Sequence, residues 1–197
     1  MTAATSSRPT SAEPLDRVAV IERALERRAN LPAKAAFSLA EQLRSDGRFE
    51  EARAVLDDAE ARHGASVGLL EQQARLAFTC GDHETALQCL QKRCDLWPSA
   101  TASIALARFH LETGGIEEAR RISDELLRTD PNLLTVQALA GAIARADGDL
   151  KGARTFFLAM VDLRTEHPGA LLTLAELSFE DGDADSARAF YRRAVAA

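Results

Sequence analysis

The sequence predicts an all-α fold, an α-solenoid of about five helix-turn-helix repeats. Three observations predict it: a glycine and alanine mark that recurs at a near-constant period, apolar residues at helical spacing, and few aromatic residues beside many alanines. Of the 197 residues, 46% are apolar and only 5% aromatic. Alanine has the best helix propensity and lets helix axes approach, so this composition favours closely packed helices.

Five glycines set the period of the chain, and each is followed five residues later by an alanine. The pairs are Gly47 and Ala52, Gly81 and Ala86, Gly114 and Ala119, Gly148 and Ala153, and Gly182 and Ala187. Successive glycines therefore recur at a near-constant period of about 34 residues, and self-similarity at a period of this length is the signature of a helical array.

Each recurring position of the aligned repeats, here called a column, has a physical reason. Glycine adopts the left-handed backbone region most cheaply, so we expect it to end the first helix of each pair. The alanines, and a second small column seven residues before each glycine, are expected where the two helices cross; that second column is Ala40, Ala74, Ala107, Gly141 and Ala175. Acids follow the glycines, and we expect them in the first turn of the second helix, at the positive end of its dipole. They are Glu50, Asp82, Glu117, Asp149 and Asp183.

The ends of the chain differ from the repeats. Residues 1–14 are rich in Ser, Thr, Pro and Ala and are predicted to be a disordered tail. Residues 15–197 are predicted to form a single solenoid: an extra helix over 15–30, whose apolar face is Leu15, Val18, Ile21 and Leu25, then repeats at about 33–66, 67–99, 100–133, 134–167 and 168–197.

The last repeat ends within its second helix, with no polar-faced capping helix after it. Three interpretations stay open. Phe190, Tyr191 and Val195 face inward and suffice, another chain covers this repeat, or the chain is cut from a longer protein.

Charge and motifs exclude several classes of function. The formal net charge of −6 argues against a nucleic-acid binder, which needs a basic face. No apolar run approaches the length of a membrane-spanning helix and the N-terminus lacks an apolar signal region, so we expect a cytoplasmic protein without membrane insertion. The odd set Cys80, Cys89 and Cys94 fits a reducing compartment, with the thiols as small buried residues. Nucleotide, hydrolase and metal motifs are missing, and the sequence therefore predicts no enzyme, no cofactor and no metal.

The repeat resembles the tetratricopeptide repeat from about Ala33 to Ala197, in its period, a small eighth residue, glycine near the fifteenth position and alanine at the twentieth. The aromatic residue often found at the fourth position is missing, where Ala36, Leu70, Ser103, Gln137 and Leu171 stand. The resemblance implies a right-handed superhelix whose first helices line the concave side. It also implies ligand contacts at positions 2, 5, 9, 12 and 13 of each repeat. The related pentatricopeptide repeats bind RNA, which the acidic balance argues against.

Twelve residues at these implied positions are the candidate partner-binding site. They are Phe37, Glu41, Arg44, Glu71, Arg75, Phe78, Ile104, Arg108, Leu111, Arg145, Leu172 and Phe179. Two binding modes known in the family do not fit, because the lysine and asparagine pairs of a carboxylate clamp and the asparagines of a peptide-gripping ladder are missing. The alternative is that these arginines only solvate the groove and the apolar residues pack between helices.

The sequence therefore predicts a non-enzymatic protein–protein interaction module. It is expected to bind a peptide or an amphipathic, acidic helix of a partner protein in its concave groove, as an adaptor, an assembly factor or a localisation scaffold. Two alternatives stay open. One is a structural scaffold that forms a homo-oligomer through its last repeat, and the other is the recognition module of a larger enzyme.

Overall fold

The computed structural model describes residues 17–163 and 167–197. Within these ranges the regular structure consists of eleven α-helices and one 3-10 turn, without a strand. The predicted all-α class is therefore confirmed. The predicted tail over residues 1–14 lies outside the described residues, and the domain boundaries stay a prediction.

The helices follow one another at a regular spacing. They are α1 (Arg17–Glu26), α2 (Ala33–Ser45), α3 (Phe49–His63), α4 (Val67–Thr79), α5 (His83–Leu96), α6 (Ala100–Glu112), α7 (Ile116–Thr129), α8 (Leu134–Ala146), α9 (Leu150–Leu163), α10 (Pro168–Glu180) and α11 (Ala184–Ala196). The 3-10 turn, Arg28–Asn30, lies between α1 and α2. Pro168 stands in the first turn of α10, where its missing N–H costs nothing.

The helices form two compact units. The first extends to Cys80 and contains α1 to α4, while the second begins at Gly81 and contains α5 to α11. In the first unit, Ile21 of α1 packs into one core with residues of α2, α3 and α4. In the second, one core joins α6, α7 and α8, and another joins α9 and α10 with the half-buried Phe190 of α11.

A glycine at positive φ closes each first helix, as the sequence predicts. Gly47 has φ 76° and Gly148 has φ 82°. After α2, the N–H of Arg48 donates to the carbonyl of Leu43 at 2.8 Å and the N–H of Gly47 to that of Arg44 at 3.1 Å. These two bonds satisfy carbonyls that the helix end would otherwise leave unpaired.

The small columns are buried. Ala52, Ala86, Ala119 and Ala153 are fully inaccessible, and Ala187 is 3% exposed. In the second small column, seven residues before each closing glycine, the fourth repeat has Gly141. The ring of Phe157 fills the space that a side chain there would need. A Cβ atom at Gly141 would lie 2.8 Å from Cε2 and 2.9 Å from Cζ of that ring. Elsewhere the column holds alanine, and the first repeat has Leu56 at the position of Phe157.

Three of the five acids lie earlier than expected. Glu50 and Glu117 stand in the first turn of α3 and α7, as predicted. Asp82, Asp149 and Asp183 instead precede their helices, where each carboxylate accepts a bond from a backbone N–H three residues later, at 2.9 to 3.1 Å. Aspartate is short enough to reach this unsatisfied donor, so it acts as a cap as well as a dipole partner.

Two smaller expectations are wrong. Cys80 is exposed at the C-terminal end of α4, and Cys89 and Cys94 are only half-buried within α5, so the thiols are not core residues. In α1, Ile21 is buried and Ala24 and Leu25 pack against the same core, but Val18 is 61% exposed.

Candidate partner-binding face

All twelve predicted site residues lie on first helices of the repeats, divided equally between the two units. The first unit has Phe37, Glu41 and Arg44 on α2 and Glu71, Arg75 and Phe78 on α4; the second has Ile104, Arg108 and Leu111 on α6, Arg145 on α8, and Leu172 and Phe179 on α10. Each unit therefore presents a set of its own.

In the first unit the charged residues bind one another. Arg44 holds Glu41 through two bonds, Nη2 to Oε1 at 2.7 Å and Nε to Oε2 at 3.2 Å. Arg44 also donates to Oγ1 of Thr79 at 3.2 Å, and Arg75 lies 3.7 Å from Glu41. The hydrogen bond from Arg44 lowers the pKa of the Glu41 carboxyl, and the charge of Arg75 lowers it further. These groups stay charged but already have partners within the chain.

Phe37 contributes to packing between α2 and α4. Its ring lies against the backbone of Gly68 in α4, where a Cβ atom would be 2.9 Å from Cε2. The ring is half-buried and joins the core of the first unit. Glu71 and Phe78 are half-buried as well, and Arg75 is exposed. Little of this apolar surface is free for a partner.

In the second unit Arg145 bridges α8 and α10. Its Nη1 donates to Glu176 at 2.9 Å and its Nη2 to Glu180 at 2.7 Å. The bond to Glu176 comes first among the causes that raise the pKa of Arg145, followed by the bond to Glu180. This arginine therefore fixes one first helix to the next and has little capacity left for a foreign carboxylate.

Arg108 differs from the other three arginines of the site. It is exposed on α6, and within residues 17–163 and 167–197 it has no ion-pair partner. It borders a cleft of about 290 Å³ between α6 and α8. The half-buried side chains of Ile104 and Leu111 form one wall, and the small Ala138 and Ala142 of α8 leave the other wall open.

This cleft combines apolar walls with the cationic side chain of Arg108 at its margin. Ile104 and Leu111 supply the apolar contacts, while Arg108 and the exposed Glu112 supply charge. An apolar side chain that carries a neighbouring acidic group fits this arrangement, because burial of the first and pairing of the second are both favourable.

Leu172 and Phe179 lie on the exposed side of α10. Leu172 is 42% and Phe179 71% exposed, and Glu176 stands between them along the helix. Glu176 and Glu180 stand at implied contact positions of the fifth repeat but are not among the twelve site residues, although both form ion pairs with Arg145. A signal for them was available in the sequence, because each stands close to one repeat period after Arg145 and so falls beside it on the next first helix.

The described part of the chain offers few other kinds of site. No group of three His, Cys, Asp or Glu side chains there could hold a metal ion. Within the same residues no helix has both the length and the apolar character needed to cross a bilayer. That the chain is no enzyme and is cytoplasmic stays a prediction.

Comparison with known proteins identifies the class. The tetratricopeptide repeat family model matches residues 33–58, 67–92 and 168–193. The resemblance seen in the sequence is thereby confirmed: three segments of the chain match the tetratricopeptide repeat, and repeats of this kind support a protein-interaction scaffold. The third and fourth repeats lie outside the matched segments but keep the glycine and alanine register.

Solved structures with the same fold include three from different organisms. A tetratricopeptide repeat protein from Parabacteroides merdae has a TM-score of 0.68 at 17% identity, over 86% of this chain and 68% of that one. A thermophilic one from Thermus thermophilus has 0.64 at 20%, over 83% and 90%. MamA from Desulfovibrio magneticus has 0.62 at 19%, over 83% and 93%. No curated protein sequence matches the chain.

Proposed function

We propose that the chain binds a segment of a partner protein on the first helices of its second unit, with the cleft between α6 and α8 as the centre of recognition. The segment places an apolar side chain between Ile104 and Leu111 and a carboxylate against Arg108. The observation that carries this proposal is that Arg108 borders an apolar cleft and has no ion-pair partner among the described residues. A peptide or an amphipathic helix that carries such a pair satisfies it, in keeping with helix-in-groove recognition.

The ion pairs of the other three arginines indicate which arginine of the site binds the partner. Arg44, Arg75 and Arg145 already contact carboxylates of this chain, so a partner would have to compete for them. An exposed pair of this kind is worth little, and replacing one acid by another gains still less. The acidic group of the partner therefore meets Arg108, while the other arginines keep neighbouring first helices in register.

Selection from a displayed library of random peptides tests this proposal even though the partner is unidentified. On the wild-type chain we expect enrichment of peptides with Leu, Ile or Phe near Asp or Glu. The Arg108→Glu variant should lose these peptides, and Ala142→Phe, which fills the cleft, should lose them too. Arg121→Glu, an exposed charge change on α7, is the matched control and should keep them. Equal retention by all four proteins would refute the site.

Self-association is a second candidate, because the last repeat exposes apolar side chains: Tyr191 is 42% and Val195 86% exposed. Light scattering separates the two functions. A mass that rises with protein concentration and is restored to the monomer by Val195→Asp would favour a structural scaffold. The remaining alternative, a recognition module of a larger enzyme, stays a prediction.

A further inference from the structure

The outward side of α11 carries the same kinds of side chain that α9 uses to contact α10. Both helices carry an arginine, an aromatic residue three positions later and a valine four positions after that. The residues are Arg154, Phe157 and Val161 in α9, and Arg188, Tyr191 and Val195 in α11. The same three-residue pattern thus occurs twice, and the structure shows what the first copy binds.

The apolar part of the α9 pattern is covered by α10. Phe157 is 8% and Val161 7% exposed, and both belong to one core with Leu171 and Leu174 of α10. In α11 the aromatic residue is 42% exposed and the valine 86%. The valines are identical in type and in repeat position, and among the described residues α10 covers the first while no helix covers the second.

The polar part of the pattern follows the same rule. Arg154 donates from Nη2 to Oγ of Ser178 at 3.1 Å and from Nη1 to Oδ2 of Asp181 at 3.4 Å, both supplied by α10 and the turn that ends it. Arg188 bonds Asp185, one turn earlier on its own helix, and both side chains are largely exposed. An exposed contact of this kind is weak and leaves the guanidinium available.

A further ion pair shows that an arginine at this position of the repeat pairs with an aspartate at the end of the next first helix. Arg120 of α7 stands one repeat before Arg154, and it is paired with Asp147 at the end of α8, which stands one repeat before Asp181. The arginine of one repeat therefore meets an aspartate just after the next first helix in both places where the second unit offers the pair.

We infer that the face formed by Arg188, Tyr191 and Val195 binds an amphipathic helix of another polypeptide, with a carboxylate near the C-terminal end of that helix. The motif can be read from α10: apolar residues at positions 1 and 4, a small residue at 8 and an acid at 11, as in Leu171, Leu174, Ser178 and Asp181. This surface is distinct from the cleft between α6 and α8.

A second copy of this chain fits the face poorly. Its α2 has the required spacing in Ala36, Leu39, Leu43 and Asp46. The three apolar side chains are 1%, 5% and 0% exposed, because the first unit already buries them. A copy would have to open its own core to offer this helix.

Fluorescence anisotropy with a labelled peptide of residues 168–182 tests the inference on the full chain. A lactam between the lysine of a Leu172→Lys change and Glu176 keeps the peptide helical on the side away from the contact, since a free helix of this length is marginal. We expect saturable binding. Val195→Asp should weaken it about tenfold or more, as expected for losing a buried valine. Arg188→Gln should weaken it roughly twofold to fivefold.

Two controls make the result specific. A peptide with Asp181→Asn should bind wild type and Arg188→Gln equally, because the pair is already broken. Arg108→Glu should leave binding unchanged, so this inference and the proposed function fail independently. Both substituted side chains of α11 are exposed, and circular dichroism checks that each variant folds. No saturation, equal binding by Val195→Asp, or a mass increase of the unliganded chain that Val195→Asp removes would overturn the inference.

Discussion

The contact between Gly141 and Phe157 predicts that Gly141→Ala destabilises the chain. Helix propensity alone would predict the opposite. Replacing glycine by alanine inside a helix gains about 1 kcal/mol. At Gly141, however, the new methyl group would lie 2.8 to 3.2 Å from three ring atoms of Phe157, which is only 8% exposed and therefore must shift within a packed core. Overpacking of this kind costs about 2 kcal/mol, so Gly141→Ala should destabilise the chain by about 1 kcal/mol.

The partner substitution turns this into a double-mutant cycle. Phe157→Leu alone removes buried volume and should cost about 1.5 kcal/mol. The double variant recreates the pair Ala40 and Leu56 of the first repeat, so the clash disappears while the propensity gain remains. Its net loss should be about 0.5 kcal/mol against an additive expectation of about 2.5 kcal/mol, a coupling of about 2 kcal/mol.

Urea unfolding followed by far-ultraviolet circular dichroism measures all three variants. Ala107→Gly, at the equivalent position of the third repeat, is the matched control and should lose about 1 kcal/mol through propensity. Glycine to alanine at position 141 and alanine to glycine at position 107 should therefore both destabilise the chain, although they are opposite changes at equivalent positions. Additive losses in the cycle, or a Gly141→Ala variant more stable than wild type, would refute the idea that the glycine exists to admit the ring.

Three further predictions concern the crossing, a cap and a charge. Ala119→Leu, at a fully buried crossing, should lose about 1–3 kcal/mol in the same urea assay, and an unchanged midpoint would contradict close packing there. Ser99→Ala removes the side-chain oxygen that accepts from the N–H of Ala102 at 3.2 Å and should lower the free energy of unfolding by about 1 kcal/mol. Ser99→Asp should retain the cap and this stability. Because Arg44 lowers the pKa of Glu41, this pair adds stability above pH 4.5 that is lost as pH falls through the lowered value. Glu41→Gln should therefore flatten the acid side of the stability curve, and NMR titration of Arg44→Gln should show the Glu41 carboxyl protonating at higher pH; no change in either would refute the linkage.

The fold could be predicted because its determinants are local and repeated. Gly47 and its four equivalents require positive φ, and Ala52 and its equivalents require a close crossing, so the register of the helices follows from spacing alone. Details that depend on one neighbour were missed. Whether an aspartate caps a helix or lies in its first turn differs by one residue, which periodicity does not resolve.

The candidate site was harder, because position in the repeat determines which face a side chain shares but not what it contacts. Phe37 and Arg108 both stand at positions implied to bind ligand. Phe37 packs on Gly68, a contact that depends on a small residue in the next first helix. Arg108 borders an open cleft because Ala138 and Ala142 are small. Such differences arise from pairs of residues in neighbouring repeats, which a single column does not show.

The last helix has a dynamic consequence. Ala187 is the only residue of α11 that is buried, although Phe190 and Ala194 pack partly on the neighbouring core. A helix with so little buried surface can open by itself while α8, α9 and α10 stay closed. Amide hydrogens of α11 should therefore exchange with deuterated solvent faster than those of the other second helices, and a ligand on its outward side would slow them. The rate of exchange in this one helix is thus a direct reading of whether that side is occupied.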